Sequence, residues 1–170
     1  MDNQVQRGST FRVLLDLPYA KEAQIETNEN THEVTTLPDR EITLRAAEDN
    51  DLNAEIAIEL LAEQKIIADR AMDGADCLDK LEKADSGYYD MILMDIQMPV
   101  MDGYDATARI RRMKDEEKAS IPIIAMTANA FAEDRQKAIS TGMNDHVAKP
   151  IDMKVLMSVL EEQICGHKGL

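Results

Sequence analysis

Residues 88–107 read YYDMILMDIQMPVMDGYDAT. The apolar run Met91-Ile92-Leu93-Met94 stops on an acid, Asp95. It is one of five short β-branched or apolar runs, at roughly 42–47, 66–71, 90–95, 121–126 and 145–148, that alternate with segments of helical pattern. This alternation is the sequence sign of βαβ units around a parallel sheet. The first helical segment, DLNAEIAIELLAEQ, repeats Leu52, Ile56 and Leu60 at i, i+4 and i+8, and Asn50 or Asp51 is placed to cap it. The other helical segments are roughly 74–83, 103–113, 131–141 and 152–164. Strict alternation with right-handed crossovers leaves few topologies. The expected fold is an α/β, doubly wound, five-stranded parallel sheet of flavodoxin-like order 2-1-3-4-5 with helices on both faces.

Outward from this region the pattern changes. Residues 41–166 form the α/β domain, and 1–18 and 19–40 differ from it and from each other. GSTFRVLLDLP, residues 8–18, sets Phe11, Val13, Leu15 and Leu17 against Arg12 and Asp16 with the period of a half-buried strand. Residues 19–40 are polar without a period and read as a flexible linker.

Composition removes several classes of function. A formal net charge of −14, from 33 acidic and 19 basic residues, argues against a nucleic-acid partner, because phosphate contacts need clustered Lys and Arg. Cys77 and Cys165 stand apart with no CxxC or His cluster, which points to reduced thiols rather than a disulfide or zinc site. No membrane segment is expected, since no apolar run approaches the roughly 20 residues that span a bilayer. The polar start lacks the apolar core of a signal peptide, so the expected location is cytoplasmic.

In an open sheet of this order, ligands bind beyond the carboxyl ends of the strands, where the first and third strands diverge. Glu48 and Asp49 follow the first strand and Asp95 ends the third, so three carboxylates from distant parts of the chain should share one crevice. Their repulsion would raise at least one pKa unless a cation neutralised them. A hard, six-coordinate, oxygen-seeking ion such as Mg²⁺ suits carboxylates, a backbone carbonyl and water. Thr127, after Ile123-Ile124-Ala125-Met126, and Lys149, after His146-Val147-Ala148, bring a hydroxyl and an ammonium to the same edge. Such groups stabilise a transferring phosphoryl group. The Lys149-Pro150 bond is a candidate for the cis form.

The segments AEDNDLNAEIAIELL, YYDMILMDIQMPVMDGYDAT and IPIIAMTANAFAEDRQKAISTGMNDHVAKPID give residues 46–164 a strong resemblance to the CheY-like receiver family, in the form attached to hybrid sensor histidine kinases. The resemblance implies a two-component phosphorelay in which Asp95 is the phosphorylated nucleophile. The donor would be a phosphohistidine on a histidine kinase or a histidine phosphotransfer protein. It also implies Mg²⁺ or Mn²⁺ bound by Asp49, Asp95 and the Gln97 backbone carbonyl, with Glu48 acting mainly through water. Thr127 would hydrogen-bond the phosphoryl group and Lys149 would pair with it. Met98-Pro99 and Gly103 look like the family's turn after the phosphorylated strand.

Three features depart from the family pattern. Arg45 occupies a position expected to be aliphatic, and a buried guanidinium must snorkel, find an acid, or leave the first strand frayed. His146 replaces the usual Tyr or Phe of the family's switch pair with Thr127, or else is a half-exposed residue of an edge strand. VQRGSTFRVLLDLP, residues 5–18, resembles the last strand of a histidine-kinase ATP-binding domain, which implies that the chain is the carboxyl-terminal part of a hybrid kinase. The chain shows no phosphoaccepting His box and no ATP-lid glycines.

Two rival readings are open to the same residues. A phosphatase with a transient phosphoaspartate needs a second Asp two residues after the nucleophile, where this chain has Gln97. A pseudo-receiver would keep the fold as an interaction module without phosphorylation. As a check on the domain boundaries, limited proteolysis is expected to trim the chain before about residue 41 and spare the rest; a protected strand at 10–17 would contradict this.

Overall fold

The structure is a computed structural model, and it describes residues 42–128 and 132–167. The expected amino-terminal strand and linker, residues 1–40, lie outside the described residues.

Five strands, β1 (Ile42–Ala47), β2 (Ile66–Ala71), β3 (Met91–Asp95), β4 (Ile123–Thr127) and β5 (Asp145–Ala148), form one parallel sheet of order β2-β1-β3-β4-β5. The helices are α1 (Asp51–Glu63), α2 (Gly74–Lys83), α3 (Gly103–Ile110), α4 (Glu116–Ser120), α5 (Ala132–Thr141) and α6 (Met153–His167). The expected order and class are those observed. All five β3 residues are buried, as a central strand covered on both faces requires. Its alternate residues enter different cores. Ile92 and Met94 join Leu81, Ile110 and Ile123, while Met91 and Leu93 join Leu44, Leu61, Leu156 and Leu160.

Two local expectations need correction. The helix expected over 103–113 ends at Ile110, and the separate short helix α4 follows, which the alternation did not reveal. Asp115 caps α4 by accepting from the amides of Glu117 and Lys118, and it also accepts from the Ser86 hydroxyl. No α4 residue is buried, so there was no apolar period to read. In α1 the helix is where it was expected, with Asn50 as its N-cap, but a different face packs. Ala54, Ala57 and Leu61 are buried, whereas Leu52 and Ile56 are 64% and 47% exposed. Small alanines let the helix approach the sheet closely, and the bulkier stripe is left at the surface.

Arg45 finds an acid, and its strand is not frayed. β1 pairs with β2 along its whole length, from Ile42↔Ile66 to Ala47↔Ala71. Buried at 4% exposure, the Arg45 guanidinium lies 3.6 Å from the Asp69 carboxylate and donates to the Arg70 carbonyl at 3.1 Å. Its carbon also sits 4.2 Å above the Tyr89 ring, whose hydroxyl donates to Asp69 at 2.8 Å. Burial lowers the Arg45 pKa while Asp69 opposes the shift. Cys77, packed in the same core, is a free thiol pushed up to about 12 by burial, in keeping with an inert cysteine.

Gly103 starts α3 against the end of β3. A β-carbon there would collide with the Asp95 carbonyl and lie 3.0 Å from Met94 Cγ. Gly103→Ala is therefore expected to lower stability by about 2 kcal/mol, since the obstruction is largely backbone and cannot yield. Denaturant unfolding checks it.

Candidate functional site

The carboxyl ends of β1, β3, β4 and β5 open onto a cleft of about 300 Å³ lined by Glu48, Asp49, Asp95, Gln97, Thr127 and Lys149 among others. Every residue singled out for the site from sequence, apart from His146, therefore lines one cavity. Each arrives there for a local reason. Asp95 is the last residue of the fully buried β3. Glu48 extends β1 by one more ladder bond, from its amide to the Ala71 carbonyl at 3.1 Å. Thr127 ends β4 and is tied to the next strand by the Lys149 amide, which donates to its carbonyl at 2.8 Å. The Lys149-Pro150 bond is cis.

The acids converge as expected. Ligand oxygens of Glu48, Asp49 and Asp95 lie within 4.8 Å of one another. Glu48 and Asp95 are buried, while Asp49 is exposed. Lys149 sits between the two buried ones, donating to Asp95 Oδ2 at 2.7 Å and to Glu48 Oε2. The other oxygen of Asp95 accepts from the Gln97 amide at 3.1 Å. Glu48 Oε1 accepts from the Asn53 side chain at 3.1 Å and the Asn50 amide at 3.4 Å, so both of its oxygens are directed. All-oxygen donors gathered from two strand ends fit a hard divalent cation better than a soft one.

The electrostatics follow from burial. Desolvation raises the Asp95 pKa above its ordinary value, opposed by hydrogen bonds from Lys149 and the Gln97 amide and assisted by the charge of Glu48. For Lys149 desolvation acts downward, but the bonds to Asp95 and Glu48 outweigh it and hold the ammonium above its ordinary value. Of the two, Asp95 is the more deeply enclosed, which is why burial dominates its shift.

His146 lies outside this lining. It sits on β5 beside Ala125 of β4, its side chain 22% exposed, with its ring Nδ1 3.3 Å from Asp145 Oδ1. Sequence reasoning missed Asn53, which orients Glu48, and Tyr104 and Asp134, which line the cleft's other side. It also missed Arg70, which reaches the loop bearing Glu48 and Asp49. A cation one residue from the carboxyl end of a strand was the available signal for Arg70.

Comparison with known proteins gives this arrangement its class. The receiver domain of a sensor histidine kinase from Pseudomonas aeruginosa, crystallised with magnesium ion coordinated in the active site cleft, is 34% identical at a TM-score of 0.65, over 74% of this chain and 98% of that one. A chain from the Saccharomyces cerevisiae co-crystal of a histidine phosphotransfer signalling protein with the receiver domain of its downstream response regulator is 28% identical at a TM-score of 0.67. That match covers 75% of this chain and 91% of the other. The fold is that of a CheY-like receiver domain.

The family description "Response regulator receiver domain" matches residues 45–161, and the chain belongs to that family. Among curated relatives, hybrid signal transduction histidine kinase I of Dictyostelium discoideum is 43% identical over 123 residues, 71% of this chain. Kinase K of the same organism is 32% identical over 166 residues, 95% of this chain. The chain spans only 7% and 13% of the lengths of these two relatives.

The raised Asp95 pKa carries a pH dependence. Ionising a carboxyl whose folded value exceeds its unfolded value costs stability as pH rises from about 3.8 through the folded value. Without divalent cation, Asp95→Asn should therefore melt above the unsubstituted chain at neutral pH. The gap should close as pH falls below the ordinary carboxylate range. Thermal melts across that range check both parts.

Proposed function

We propose that the chain accepts a phosphoryl group on Asp95 from a phosphohistidine, with Mg²⁺, or Mn²⁺ in its place, bound beside it. The observation that carries this reading is the convergence of Glu48, Asp49 and Asp95 with Lys149 and Thr127 in one cleft. An Asp95 carboxylate oxygen would attack phosphorus as the bond from phosphorus to the donor imidazole nitrogen breaks, leaving an aspartyl phosphate. Asp49, Asp95 and the Gln97 carbonyl would hold the cation, and Glu48 would hold its water. When bound, the cation neutralises charge on the transferring group's oxygens.

The chain's own groups supply positioning. The Gln97 amide holds one Asp95 oxygen, leaving the other paired with Lys149. Lys149 would transfer its ammonium from the acids to the incoming phosphoryl oxygens, and the Thr127 hydroxyl would bond a further one. We assign Thr127 and His146 as a switch pair, because His146 stands next to Ala125 on the strand beside β4.

Residues 1–18 would be the remnant of a kinase ATP-binding domain, 19–40 a linker and 41–166 the receiver, within a hybrid histidine kinase. The alignment with kinase K supports this, since coverage of 95% of the chain must include residues before 41. The direct partner would be a histidine kinase or a histidine phosphotransfer protein. The cytoplasm is the expected location, where ATP-charged kinases act; no helix among the described residues is long and apolar enough to cross a membrane.

Incubation with acetyl phosphate and Mg²⁺ should add one phosphoryl group by intact mass, and Asp95→Asn should add none. An equal gain in the variant would overturn the assignment. Asp49→Ala should weaken Mg²⁺ binding more than Glu48→Ala.

A further inference from the structure

The loop between β1 and α1 carries two of the three converging acids, Glu48 and Asp49, and α1 begins at once with Asp51. A short loop with three consecutive or near-consecutive acids repels itself, and its backbone needs an external tie to stay in one shape. Arg70, the fifth residue of β2, supplies one. Its Nε and Nη2 donate to the Glu48 carbonyl at 3.4 and 3.3 Å. Nη2 also donates to the Asp49 carbonyl at 3.3 Å and to Asp51 Oδ1 at 2.7 Å. One guanidinium thus touches three of the four residues from Glu48 to Asp51.

Arg70 is itself held. Its carbonyl accepts from Arg45 at 3.1 Å and from Lys80 Nζ at 2.7 Å, and its strand position is fixed opposite Ala46. The planar fork of an arginine suits this bridging, because its donors diverge in fixed directions; a lysine ammonium is a single point on a flexible stem.

We propose that Arg70 is a positioning residue for the cation site, fixing the backbone from which Asp49 reaches the ion and Glu48 its water. The proposal rests on the reading of the cleft as a Mg²⁺ site. It makes a prediction opposite in sign to simple electrostatics. A guanidinium near a divalent cation repels it, so loss of that charge alone would tighten binding. Loss of the bridge frees the loop, and outer partners of metal ligands commonly contribute tenfold or more to affinity.

The test is Mg²⁺ titration by calorimetry on the full chain, for the unsubstituted protein, Arg70→Met and Arg70→Lys, each confirmed folded by circular dichroism without metal. Both variants should bind roughly tenfold more weakly. The metal-free variants should also show faster amide exchange at Asn50 and Asn53 while exchange in β3 is unchanged. Affinity equal to or tighter than that of the unsubstituted chain in either variant overturns the proposal. If Arg70→Met does not fold, Arg70→Lys decides alone, since it keeps the charge and loses the fork. Failure of the unsubstituted chain to bind Mg²⁺ would instead overturn the cation reading itself, and the clamp with it.

Discussion

Glu48 and Asp95 are two buried carboxylates that share the single ammonium of Lys149. Burying an ion costs several kcal/mol even after relaxation, and the cost is recovered only where partners are close and well aligned. Here the partners come from three strands far apart in sequence, so the ion cluster is only as ordered as the sheet that assembles it. The sheet meets that demand through β3, whose five buried residues fix where Asp95 stands, and through the ladder bond that carries Glu48 beyond β1. Burial there keeps Asp95 harder to ionise than an ordinary carboxyl, against the hydrogen bonds from Lys149 and the Gln97 amide. Two buried carboxylates sharing one ammonium are by themselves a source of instability.

The first strand shows how the chain accommodates that demand. Arg45 enters a core where an aliphatic residue would be simpler, yet it is matched by Asp69, by the Tyr89 ring and by the Arg70 carbonyl. Through that last bond the buried arginine steadies Arg70, and Arg70 steadies the loop of the acid pair. A residue that departs from the family pattern therefore belongs to a line of contacts ending at the loop of Glu48 and Asp49. Arg45 Nε has no hydrogen-bond partner among the described residues, so the accommodation there is incomplete.

The fold was legible because its signals are local. The apolar run before Asp95, the Asn50 cap and the spacing of strand and helix patterns each lie within a few residues. The convergence of Glu48, Asp49, Asp95, Thr127 and Lys149 was legible too, since strand order alone carries all five to one edge. What escaped was non-local or patternless. The short helix α4 has no buried face, and its cap is shared with Ser86 from another loop. The stripe Leu52, Ile56, Leu60 located α1 but not its packed face, because periodicity cannot say which of two stripes meets the sheet. The acid that balances Arg45 and the arginine that ties the acid loop both come from β2, and pairing register is invisible in a single sequence.

All of the proposed chemistry turns on a divalent cation binding among Glu48, Asp49 and Asp95, beside Lys149. Paramagnetic Mn²⁺ titrated into the isotope-labelled full chain tests it most directly, because broadening of amide resonances falls steeply with distance from the ion. Residues 48–50, 95–97 and 127–128 should broaden first and saturate together, and excess Mg²⁺ should reverse the effect. Equal broadening at exposed acids elsewhere, such as Asp115 to Glu117, with no preference for the cleft, would contradict it.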